Sequence, residues 1–182
     1  MAFKDTILSF EEDKIVTEDD REVMMLWEAP IMEKSTEYIC ESKGDVLEIG
    51  FGMGICSDYI QSQDVSSHTI VEIHPQVIEK LKVWSEDKDN VTIVEGDWDS
   101  LELGTYDGIF LDTYADISFD NFKEFAIAKA KSGSKITYWN NFADSRNKYG
   151  FDDISFEEIS VSPEDNMYTK IIDTYYMPKV GL

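Results

Sequence analysis

Between Gly44 and Trp139 short apolar runs of β type alternate with stretches of helical spacing, and this alternation restricts the fold more than any other feature. The runs are "GDVLEIG", "HTIVEI", "VTIVE", "YDGIFLD" and "SKITYW". A helix onset follows "GFGMG", and helices are predicted over 75–86 and over 119–131, where Phe122, Phe125, Ala126 and Lys129 fall on helical positions. Strands joined through helices cross over and pair in parallel, which buries both faces of the sheet. The predicted class is therefore α/β, a doubly wound, mostly parallel seven-stranded sheet with helices on both faces. Two further β-rich runs, "DISFEEISV" and "YTKIIDTYY", are separated by "SPEDNM" and read as an antiparallel C-terminal hairpin.

The remainder of the chain is less patterned. Residues 1–18 mix apolar and acidic side chains without a firm period and read as a mobile arm or lid. From Asp19 to Lys43, Val23, Trp27, Ile31, Tyr38 and Ile39 recur at helical spacing, with Pro30 opening a second helix. At 182 residues, residues 1–182 are expected to form a single domain. A net charge of −22 argues against a nucleic-acid partner, because neutralising phosphates requires clustered Lys and Arg. No apolar run approaches the ~20 residues of a membrane helix, and charge interrupts the N-terminus too early for a signal peptide, so a cytoplasmic protein is expected. Cys40, Cys56, His68 and His74 show no metal-ligand spacing, so no metal is expected. The partner expected is a small molecule, and the sequence leaves monomer and homodimer open.

In doubly wound sheets ligands collect at the carboxyl ends of the strands. That rule gathers Glu48 to Gly54, Glu72, Asp97 and Asp112 on one rim. Gly50, Gly52 and Gly54 form a turn that lets backbone approach a ligand closely. Glu72, 22 residues after Gly50, is placed to hold the hydroxyls of an adenosine ribose, and Asp97 with Trp98 to meet an adenine. The spacing departs from the G-x-G-x-x-G of dinucleotide sites, and an acid at position 48 would repel a pyrophosphate but attract an aminoacyl ammonium or a sulfonium. S-adenosylmethionine is the expected cofactor.

"YDGIFLDTY" raises the question of acceptor. A strand apolar at Ile109, Phe110 and Leu111 has no packing use for the acid that ends it, so Asp112 is expected to face a cation. Together "VMMLWEAPIM", "VLEIGFGMGI" and "YDGIFLDTY" resemble guanidinoacetate N-methyltransferase and its arginine-methylating relatives, class I S-adenosylmethionine-dependent enzymes with a Rossmann-like fold. The resemblance implies that Met24, Met32, Gly50, Phe51, Gly52, Met53, Gly54, Glu72, Ile73, Asp97 and Trp98 surround the cofactor. It further implies that Glu28 and Asp112 bind and activate a guanidino group, and that Asn141 and Phe142, in "WNNFADS", contact the acceptor. A guanidinium is planar and offers paired N–H donors that match carboxylate oxygens, so two acids can clamp and orient it. The acceptor expected is guanidinoacetate-like. Arginine, agmatine, a protein arginine, or a binder of the cofactor without catalysis are the other readings.

Overall fold

The computed structural model describes residues 2–114, 121–163, 171 and 173–182. At its centre, β4 (Asp45–Ile49) runs parallel to β5 (Ser67–Glu72) on one side and β7 (Tyr106–Leu111) on the other. Beyond β5 lies β6 (Val91–Glu95), also parallel. Beyond β7 lies β8 (Ala130–Tyr138), parallel again, followed by the antiparallel pair β10 (Thr174–Gly181) and β9 (Ile154–Ser160). The order is β6-β5-β4-β7-β8-β10-β9, so the strand order reverses between β4 and β7. A crevice opens at such a reversal because the flanking crossovers lead away to opposite sides.

Side chains of the central strands alternate between two cores. Val46, Ile70 and Phe110 face α1 (Ala29–Ile39), α2 (Ile55–Ser62) and α3 (Pro75–Ser85), through Ile31, Ile39, Ile60, Val77 and Leu81. Leu47, Ile109, Leu111 and Ile136 face the other way, onto Phe122 and Ala126 of α4 (Phe122–Lys129). The continuous apolar character of these strands follows from having helices on both faces. Pro30 and Pro75 each lie in the first turn of their helix, where the missing N–H costs nothing. No helix among the described residues is long and apolar enough to cross a membrane.

Three elements differ from the sequence-based expectation. The N-terminal half of the helix expected from Asp19 is instead a strand, β3 (Glu22–Met25), followed by a 3-10 turn over Leu26–Glu28. Residues 1–18 contribute β1 (Leu8–Phe10) and β2 (Lys14–Thr17), and the three strands form a separate antiparallel sheet. Ile15 pairs with Met24 and Lys14 with Met25, so a long-range ladder decides a four-residue segment whose own spacing fits either structure. At the C-terminus β10 starts at Thr174 and continues through Pro178, later than the run "YTKIIDTYY" suggests. Pro178 has no N–H for a ladder, and β10 pairs with β8 only at Val180 and Gly181. Its carbonyl is satisfied by the Thr137 hydroxyl at 2.6 Å. The turn expected at "SPEDNM" falls largely outside the described residues, as does the start of the helix expected at 119.

Candidate functional site

The strand ends form a staircase. Gly96 N–H donates to the Glu72 carbonyl, Gly50 N–H to Val71, Asp112 N–H to Ile49 and Trp139 N–H to Leu111, at 2.8–2.9 Å. Each strand thus hands its first post-strand residue to the same rim. Above the rim lies a cleft of about 790 Å³, within the usual range for cofactor sites. Its walls include Met24, Glu28, Gly50, Gly52, Glu72, Ile73, Asp97, Trp98, Asp112, Thr113, Tyr114 and Trp139, with Ala2, Phe3 and Lys4 reaching it from the N-terminal segment.

Gly50 adopts φ +96°, and a Cβ there would lie 1.9 Å from the Asp112 carbonyl oxygen. The end of β7 can therefore crowd the glycine turn only because residue 50 has no side chain. Gly52, at φ +55°, leaves room for the Met24 thioether, whose sulfur accepts from the Met53 N–H at 3.0 Å. Glu72 holds the same turn: one carboxylate oxygen accepts from Phe51 N–H at 2.9 Å, the other from Ile73 and His74 N–H at 2.8 Å each. Replacing Glu72 by alanine leaves these amides without their acceptor. Urea denaturation is expected to show a loss of about 2–4 kcal/mol.

Glu28 and Asp112 border the cleft together. Glu28 is buried, 4% exposed, and one of its oxygens accepts from Met25 N–H at 2.8 Å. Burial first, then the Asp112 charge, and less strongly the Glu22 charge, push its carboxyl well above the usual carboxylate range against that hydrogen bond. Burial, followed by the charges of Glu48 and Glu72, raises Asp112 to about 7. Between about pH 4 and 7 the folded protein holds a proton on Asp112 that the unfolded chain has released. This group's contribution therefore makes stability fall as pH rises through that window, and above it the full cost is present. Asp112→Asn is expected to be more stable than the wild type by about 2–4 kcal/mol at pH 8, an advantage that shrinks toward pH 5. Chemical denaturation at both pH values checks the sign.

Other residues lie elsewhere than the sequence suggests. Glu48 does not reach the rim. It shares a face of β4 with Val46 and is fully buried, accepting from the Ser57 hydroxyl at 2.6 Å and hydrogen-bonded to His68 Nε2 at 2.8 Å. The electrostatic argument for a sulfonium over a pyrophosphate therefore loses its acid; Glu48 acts on the cleft only at a distance, through Asp112. Met32 is fully buried in the core beneath α1. Phe51 packs edge-on against Trp84, and neither it, Met53 nor Gly54 borders the cleft with Gly50 and Gly52. Trp98 borders the cleft with its ring packed on Phe122 and Phe125, and its indole N–H has no hydrogen-bond partner among the described residues. Asp97 accepts from Asp99 N–H as the cap of a 3-10 turn and also lines the cleft.

Asn141 is exposed, and Phe142 lies under the Arg146 guanidinium at 4.2 Å; neither lines the cleft. The physical reason is Asn140. Its N–H is held by the Tyr175 hydroxyl at 2.7 Å and its side chain donates to the Asp144 and Tyr176 carbonyls, which turns the chain outward after Trp139. Trp139 is the residue the sequence reading passed over. Its signal was positional: it follows β8 as Asp112 follows β7.

A family model described as Guanidinoacetate N-methyltransferase matches residues 3–173. The chain belongs to that family. Among curated proteins it is similar to protein arginine N-methyltransferase 2 of Aspergillus oryzae, 33% identical over 201 aligned positions, covering 96% of this chain and 48% of that protein. A second relative of the same name, from Kluyveromyces lactis, is 42% identical over 102 positions, 52% of this chain and 25% of that protein. The chain thus spans about half the length of the first relative. Among solved structures, spermidine synthase from Thermotoga maritima superposes with a TM-score of 0.68 at 12% identity, covering 96% of this chain and 72% of that one. The N-methyltransferase NodS from Bradyrhizobium japonicum, in complex with S-adenosyl-l-homocysteine, gives 0.65 at 10% identity over 85% and 87% of the two chains. These last two likenesses establish the fold, that of class I methyltransferases.

The residues present fit the cofactor of this family. Gly50 and Gly52 line the cleft, Glu72 and Asp97 border it beside them, and the Trp98 N–H has no hydrogen-bond partner among the described residues. Among the described residues no group of three or more His, Cys, Asp or Glu side chains is arranged to hold a metal ion.

Proposed function

We propose that this chain transfers a methyl group from S-adenosylmethionine to a guanidino nitrogen. The observation that carries this reading is that two carboxylates, Glu28 and Asp112, border the same cleft as the glycine turn, with the Asp112 charge acting on Glu28. Two acids confined in a partly desolvated cleft repel each other and are relieved by a cation with donors on two edges. The cofactor supplies an electrophilic methyl on a sulfonium, and the C–S bond breaks as the new N–C bond forms. Glu72 is assigned to the ribose, Asp97 and Trp98 to the adenine, and Met24 with Gly50 and Gly52 to the methionyl part. Ala2, Phe3 and Lys4, from the segment read as an arm, are assigned to its outer wall.

Glu28 orients the acceptor by holding one edge of the guanidinium. Asp112 holds the nitrogen under attack and takes its proton as the bond forms, restoring a neutral thioether product and a guanidinium with one more methyl. Much of the rate comes from this positioning, because a guanidinium nitrogen has its lone pair in resonance. The relatives are named protein arginine N-methyltransferases, which favours an arginine side chain over free guanidinoacetate as acceptor. Isothermal calorimetry tests the cofactor assignment: Glu72→Ala, if folded, is expected to bind S-adenosylmethionine at least tenfold more weakly. Unchanged affinity in that variant removes the ribose role. A wild type that binds cofactor and methylates no guanidino compound supports the sensing alternative.

A further inference from the structure

Trp139 borders the same cleft as the two acids. Its N–H to the Leu111 carbonyl, at 2.8 Å, prolongs the β7–β8 pairing one residue past Leu111 and Tyr138, which sets Trp139 next to Asp112 on the rim. Its ring lies against Tyr175 with centroids 5.1 Å apart and planes 32° apart, and near Trp27 at 6.4 Å. Tyr175 is itself fully enclosed, and its hydroxyl pins the next residue, Asn140. The indole is thus held by its neighbours and lines the cleft together with Glu28 and Asp112.

Resting on the guanidino reading above, we infer that Trp139 determines acceptor specificity: its indole is an apolar wall that receives the methylene chain of an alkylguanidine and rejects a carboxylate one carbon from the guanidinium. A planar aromatic face favours methylenes and the guanidinium plane, and presents an anionic group with no donor in exchange for its water. Among the described lining residues the cations are Lys4 and Lys82, and Lys82 is taken by Glu95 at 2.8 Å.

Ethylguanidine and guanidinoacetate form a matched pair, differing by a methyl in place of a carboxylate. With mass detection of the methylated product, wild type is expected to favour ethylguanidine in kcat/KM by at least tenfold, and N-acetylarginine methylamide further still. Trp139→Ser is expected to narrow the ethylguanidine-to-guanidinoacetate ratio by at least tenfold, while Trp139→Phe keeps it within about threefold. The ratio is the informative quantity, because a loss of folded enzyme lowers both rates equally and leaves it unmoved. A wild type that prefers guanidinoacetate, or a ratio unchanged in Trp139→Ser, overturns the inference while leaving the guanidino reading intact. Absence of methyl transfer to every guanidine, with cofactor binding retained, overturns both.

Discussion

Asp112→Asn is expected to lower methyl transfer to guanidino acceptors by about 10²–10⁴-fold while S-adenosylmethionine affinity stays within about threefold of wild type. The substitution keeps the shape of the side chain and removes two things at once. The reacting nitrogen loses the base that takes its proton, and the guanidinium loses one of its two charged partners. An interaction needed chiefly as the new bond forms should appear in kcat more than in KM. Calorimetry for the cofactor and single-turnover mass measurements for the methyl group separate the two. Turnover near the wild-type level would contradict the assignment. The same variant is the one expected to gain stability at pH 8, because Asp112 is raised to about 7 by burial and by Glu48 and Glu72. A substitution that stabilises the fold and slows the chemistry is what a residue held in an unfavourable charge environment for function should produce.

The second large effect is expected at Gly50. Alanine there places a methyl group 1.9 Å from the Asp112 carbonyl oxygen, a backbone atom that cannot rotate away, at a φ of +96°. Either the glycine turn or the end of β7 has to move, and both border the cleft. Gly50→Ala is expected to cost about 3–5 kcal/mol in urea denaturation and to weaken S-adenosylmethionine binding by at least a hundredfold in whatever fraction folds. Gly133→Ala provides the control. Gly133 also has a positive φ, +85°, but nothing lies within 4 Å of the added methyl, so only the conformational cost of about 1–2 kcal/mol is expected. Equal losses in the two variants would show that the contact with Asp112 is not what fixes residue 50 as glycine.

The parallel part of the sheet was readable because its signals are local. In β4 and β5 an apolar run, a glycine or acid at its end, and a helical spacing after it all lie within about 20 residues; β6 and β7 show the run and the acid that follows it. The placement of Glu72, Asp97 and Asp112 on one rim followed from that reading, since parallel pairing aligns carboxyl ends. Glu48 was misplaced although its cue was present. It lies one residue before the end of β4 and two after Val46, so pleat alternation sends its side chain to the helix-covered face, where Ser57 and His68 receive it. Residues 22–25 were misread for a different reason: four residues with two methionines carry no period, and pairing with Lys14–Val16 settles them.

The sequence by itself determined the strand–helix alternation, the glycine turn and the acids that follow the central strands, because backbone period and side-chain burial along a strand are written in neighbouring residues. Tertiary structure alone decided which side chains meet across the cleft. Glu28 comes to the same cleft as Asp112 from a segment 84 positions away, Trp139 enters through a ladder bond to Leu111, and Asn141 and Phe142 are turned out by the bonds of Asn140. Such meetings depend on registers and hydrogen bonds between distant segments, and no local pattern encodes them.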